Sequence, residues 1–223
     1  MDDVTVAYLP QNSPPVIRAM VVTGVAGSSA RSPAADAQTI GHNAGEQVQV
    51  IWQAEDPDQD KLVYDLYFRG ENERQWKLLR GNTTESTYTM DGEALADGRY
   101  LFRVVASDRP SNPPDTAREA EQVSTPILID NTPPAVTLSG AARNGRGFQV
   151  TADAADRASV LRRCEYSVDG GPWTPVEAED GVTDSAKERF LIRIAELAPG
   201  EHMISVRVYD SAGNAGVAKV VSE

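Results

Sequence analysis

A single plan of residues is written twice along this chain. Asn12-Ser13-Pro14-Pro15 returns as Asn131-Thr132-Pro133-Pro134, and Leu95-Ala96-Asp97-Gly98-Arg99-Tyr100 returns as Leu197-Ala198-Pro199-Gly200-Glu201-His202. After each second landmark the side chains alternate. His202, Ile204, Val206 and Val208 interleave with Met203, Ser205, Arg207 and Tyr209. Tyr100, Phe102, Val104 and Ala106 interleave with Leu101, Arg103, Val105 and Ser107. An alternation of period two with one more apolar face is the pattern of a half-buried antiparallel strand. A repeat built from such strands excludes a helical fold and points to two β-units in series. A length of 223 residues suits one or two domains, each able to bury a core of its own.

The remaining strands read as 16–22, 48–54, 62–69, 75–79, 86–90 and 123–129 in the first copy. In the second they read as 135–139, 148–152, 163–168, 173–176, 189–194 and 215–221. Asp169-Gly170-Gly171 predicts a hairpin turn between Cys164 and Val176. A single helical turn is expected near 185–188. The first copy is the longer, and its excess falls in residues 23–45, rich in Ala, Ser and Gly, where a surface loop is expected. About seven short strands per copy predict an all-β protein of two immunoglobulin-like β-sandwiches in tandem. The expected division is an N-terminal strand or remnant of a preceding domain at 1–9, a sandwich at 10–130 and a second at 131–223. Two prolines after the cut predict a short, stiff linker.

The first copy resembles a fibronectin type III domain. Trp52 stands where that family keeps a core tryptophan, and Tyr64-Asp65-Leu66-Tyr67-Phe68-Arg69 followed by Trp76-Lys77-Leu78-Leu79 resembles its third and fourth strands. Leu95-x-x-Gly98-x-Tyr100-x-Phe102-x-Val104-x-Ala106 resembles its sixth strand, with the tyrosine corner. The second copy has His202 in place of that tyrosine. Its Tyr166-Ser167-Val168-Asp169-Gly170-Gly171-Pro172-Trp173 and Asp210-Ser211-Ala212-Gly213-Asn214 resemble bacterial immunoglobulin-like repeats. Tandem pairs of this kind are similar to the C-terminal regions of exported bacterial multidomain proteins, including ones with an upstream β-propeller. The resemblance implies an exported, cell-surface or periplasmic setting. Met1-Asp2-Asp3 does not open a signal peptide, so the chain is expected to begin inside a longer exported protein.

Composition narrows the function. With 21 Lys+Arg against 33 Asp+Glu the net charge is -12, which argues against a nucleic-acid partner or adsorption to anionic lipid. No apolar run is long enough for membrane insertion as a helix. One cysteine excludes an internal disulfide, and two histidines leave little for a His-rich metal centre. Cys164 alternates with Tyr166 and Val168 on the expected core face and reads as a small hydrophobe. His42 and His202 are poorly placed for a Ser-His-Asp arrangement, and no phosphate-cradling glycine loop opens a helix. A non-enzyme is expected.

Two acidic groups suit a hard, oxygen-loving cation such as Ca²⁺. One is the loop Glu55, Asp56, Asp58 and Asp60. It is not an EF-hand, because Lys61 and Tyr67 fall where Gly and a bidentate Glu are needed. The other is a set the sandwich topology would gather at the linker end of the second copy: Asp130, Asn131, Asp153, Asp156, Asp210 and Asn214. The plain alternative is solvated acidic turns shaped by Asx bonding. The function expected is a non-catalytic structural spacer or interaction module that requires no cofactor, with calcium stiffening open to it if either acidic group binds the ion, and with neighbouring domains of a larger chain as partners. The alternative is an accessory pair that binds a surface protein or glycan, with Trp76, Trp173 and Tyr209 as stacking residues.

Overall fold

A computed structural model of the chain describes residues 11–26 and 46–222. These form two compact units. The first holds residues 11–26, 46–94 and 99–127, and the second holds 95–98 and 128–222.

In the first, β1 (Val16–Ala26), β2 (Glu46–Glu55), β3 (Val63–Gly70), β4 (Lys77–Thr83), β5 (Thr87–Asp91), β6 (Gly98–Ser107) and β7 (Glu119–Val123) make two sheets, and β8 (Ile127–Ile129) follows at the boundary where the second unit begins. One has the order β1-β2-β5. The other runs β4-β3-β6-β7, with β8 also on β6. In the second, β9 (Ala135–Asn144), β10 (Gly147–Ala155), β11 (Leu161–Val168), β12 (Thr174–Val176), β13 (Lys187–Ile194), β14 (His202–Asp210) and β15 (Ala215–Ser222) repeat the plan, as β13-β10-β9 and β12-β11-β14-β15. With β8 set aside, three strands and four recur in the same order twice, the all-β tandem the sequence predicts. No α-helix occurs among the described residues; Gly92–Ala94 is a single 3-10 turn.

Alternation decides which face goes inward. On β2, Val48, Val50 and Trp52 are buried while Ile51 is exposed. On β6, Phe102, Val104 and Ala106 close the same core. Trp52 meets Tyr64 edge-on, with ring centroids 5.5 Å apart, an arrangement the ring quadrupoles favour. The second core is built from Val150, Ala152, Leu161, Cys164, Phe190, Ile192, Ile204, Val206 and Val208. Burial, with Glu165 adding its charge, pushes the Cys164 thiol up to about 12, so it packs as a hydrophobe and forms no thiolate at neutral pH.

The hairpin turn forms as expected. Asp169 and Gly170 both have positive φ (50° and 71°), as a two-residue hairpin turn requires, and the Gly171 N–H donates to the Val168 carbonyl. Three local expectations are corrected. Residues 23–26 belong to β1 and not to a loop, because they pair in register with Glu46–Gln49; 27–45 lies outside the described residues, as do the proposed strand at 1–9 and His42. Residues 123–129 are not one strand, because Pro126 lacks the N–H a ladder needs and separates β7 from β8. Residues 185–188 make no helical turn, since β13 begins at Lys187 and pairs with β10 from there.

Candidate metal centre

The first acidic loop is organised by Asp56, the residue after β2. Its Oδ1 accepts the N–H groups of Asp58 (2.8 Å) and Asp60 (3.3 Å), and its carbonyl accepts the Gln59 N–H. Gln59 adopts positive φ (65°) to close the turn. Asp58 turns outward to accept the Ser13 N–H, and Glu55 pairs with Arg18 across the sheet. Asp56 and Asp60 therefore meet a third carboxylate that the sequence reading missed, Asp108, at the end of β6. One carboxylate oxygen from each of Asp56, Asp60 and Asp108 lies within 4.8 Å of the others. Asp108 is fully buried, and both its oxygens are engaged, by the Arg118 N–H and the Asn12 side-chain amide (2.7 Å each). Asn112 donates its amide to Asp60 at 2.6 Å.

The second sandwich repeats the arrangement. Asp156 follows β10 as Asp56 follows β2. Asp210 closes β14 where Asp108 follows β6, and Asn214 stands four residues on, as Asn112 does. The third member is Asp130. Carboxylate oxygens of Asp130, Asp156 and Asp210 again lie within 4.8 Å of one another, and all three residues are buried, 8%, 7% and 3% exposed. Asp156 Oδ1 accepts the N–H groups of Ala158 and Ser159 (2.8 Å each). Asp210 accepts the backbone N–H and side-chain amide of Asn214 (2.9 Å each), and that amide also reaches the Asp130 carbonyl. Asp130 Oδ1 accepts the Thr132 N–H, whereas its Oδ2 is buried with no hydrogen-bond partner. Burial holds the Asp210 carboxyl above its ordinary range. The Asn214 hydrogen bonds oppose this, and the like charges of Asp130 and Asp156 add to it.

Of the predicted junction set, the structure brings Asp130, Asp156, Asp210 and Asn214 together. Asn131 turns away, donating its N–H to Asp97 and its amide to the Leu95 carbonyl. Asp153 lies on β10 in an exposed ion pair with Arg189 (2.7 Å). The repeat itself carried the signal for Asp108: Val104-x-Ala106-x-Asp108 aligns with Val206-x-Val208-x-Asp210.

The aromatic candidates are engaged by arginines. Arg69 and Arg103 lie 4.9 and 4.8 Å from the Trp76 ring centroid, Arg207 3.9 Å from that of Trp173, and Arg163 4.2 Å from that of Tyr209. Trp173 remains 37% exposed. His202, at the tyrosine-corner position, is half-buried. Its Nε2 meets the Ala198 carbonyl at 3.1 Å and its Nδ1 meets Asp169 at 2.6 Å, so the histidine takes up the upstream backbone bond of a corner tyrosine.

Neither a family model nor a curated protein matches the chain. Among solved structures it is similar to the fibronectin(III)-like modules of Clostridium thermocellum CbhA, with 22% identity over 80% of this chain and 85% of that one and a TM-score of 0.37. It is also similar to the FN1-FN3 domains of chicken CNTN1, with 14% identity over 96% and 68% and a TM-score of 0.35. A two-domain fibronectin type III segment of chicken tenascin gives 15% identity over 81% and 93% and a TM-score of 0.33. Superpositions this loose carry no argument, and the fold stands on the strand order. Among the described residues no helix is long and apolar enough to cross a membrane.

Proposed function

We propose that the chain is a non-catalytic structural spacer and interaction module of an exported or cell-surface bacterial protein, stiffened by calcium and contacting neighbouring domains of a longer chain. The supporting observation is the gathering of three buried aspartates, Asp130, Asp156 and Asp210, at strand ends of the second sandwich. Buried like charges repel, and a divalent cation bound to them compensates that repulsion while tying separate strand ends together. The test is thermal unfolding in excess EDTA and again in millimolar CaCl₂. A ligand at about 100 times its dissociation constant stabilises by roughly 2.7 kcal/mol. For a domain near 100 residues that raises the midpoint by about ten degrees or more. Superimposable melts contradict a calcium-stiffened spacer.

Glycan or protein binding is the second reading, favoured by the exposure of Trp173. Stacking on a sugar needs a free ring face, and Trp76, Trp173 and Tyr209 each have a guanidinium over the ring. A glycan array with no bound sugar removes the glycan form of this reading.

A further inference from the structure

We infer that one calcium ion is held by Asp130, Asp156 and Asp210 of the second unit, and that the matching aspartates of the first sandwich hold none. The inference rests on the calcium-stiffened reading above and assigns its site.

The two clusters share a plan but differ in burial. Amides bond carboxylates in both, Asn214 taking both oxygens of Asp210 in the second, and in the first the donors are more numerous. Asn12 bonds Asp108, Asn112 bonds Asp60, and the Arg118 N–H takes the second Asp108 oxygen. Asp56 Oδ2 is buried without a hydrogen-bond partner, as Asp130 Oδ2 is, but Asp56 and Asp60 as residues are only half-buried, so the first set is the less desolvated of the two. In the second, all three carboxylates are buried, and the donors they receive leave Asp130 Oδ2 without a partner. Leaving a buried anionic oxygen unpaired is costly, and a cation is the partner that several converging carboxylates select in common. Asn131 could have supplied an amide here, as Asn12 does in the first copy, but its side chain is committed to the Leu95 carbonyl.

The donor set identifies the ion. It consists of oxygens from three separate points of the chain: the residue after β8, the residue after β10 and the end of β14. An all-oxygen set with no thiolate or imidazole suits Ca²⁺, which takes six to eight oxygens in adaptable geometry and can complete its shell with backbone carbonyls and water. Three carboxylates balance its charge to within one unit.

The test is calorimetric titration of calcium into the full chain after EDTA stripping. The parent is expected to take up one equivalent. Asp130→Asn puts an N–H donor where the unpaired oxygen sits; it is expected to melt no lower than the parent in EDTA and to lose the calcium heat. Asp156→Asn keeps the Oδ1 that caps Ala158 and Ser159 and is expected to lose the heat as well. Asp60→Asn is expected to keep one equivalent. Heat retained in either second-unit variant, heat lost in Asp60→Asn, or two equivalents in the parent overturns the assignment and leaves the calcium-stiffened reading standing. No heat in the parent overturns both.

Discussion

Asp169 illustrates how much one turn residue supports. Its backbone adopts the left-handed conformation of the β11–β12 turn, and its two carboxylate oxygens receive the His202 ring and the Met203 N–H. The His202 bond first, and the Met203 bond second, hold this carboxyl below the usual range. A carboxyl that ionises more readily in the fold stabilises the fold once the unfolded chain is itself ionised, above about pH 4. That contribution is lost as the pH falls through the lowered folded value. Asp169→Asn, which tolerates the same backbone conformation, is therefore expected to unfold at a lower denaturant midpoint than the parent at pH 6. The gap should close in strongly acid solution, and midpoints measured across that range check it. The sequence placed His202 at the corner position but not its bonds. They depend on Ala198, four residues earlier, and on Asp169 from another strand, and no local pattern encodes that meeting.

At the scale of elements, the turn after β11 depends on Gly170, whose φ of +71° is one that side chains with a Cβ rarely adopt. Gly170→Ala meets no neighbour, so backbone strain alone is expected to act, lowering stability by about 1 kcal/mol in equilibrium unfolding. Gly216, on β15, is constrained differently: a Cβ there would lie 1.9 Å from the Pro134 carbonyl oxygen. Most strands were legible because their apolar residues alternate. The ends were less so. Residues 23–26 have loop-like composition yet extend β1, because a ladder hydrogen-bonds through the backbone whatever the side chains. Between β7 and β8 the ladder continues through Ser124, whose N–H donates to the Phe102 carbonyl and whose hydroxyl accepts the Phe102 N–H, before Pro126 interrupts it. Pro126 is visible in the sequence and marks that break; reading 123–129 by its apolar residues passed over it.

For the whole chain, the repeat was the most informative level. It gave two sandwiches of one topology, and the structure shows the same strand order twice. The candidate site was legible in part for the same reason. Asp156, Asp210 and Asn214 follow from where loops converge in such a sandwich, and Asp130 from its position before the prolines. Asp108 was passed over because it sits outside any acidic run, although the repeat aligns it with Asp210. Asp153 was included because it is near in sequence, but strand alternation and Arg189 keep it on the sheet surface. Amide NMR spectra of the full chain in EDTA and in saturating calcium show whether buried aspartates of the second unit hold the ion. Shifts are expected to concentrate at residues 130–132, 156–159 and 210–214, with the loop at 56–60 and Asp108 unmoved. Shifts centred on that loop, or none anywhere, would contradict this.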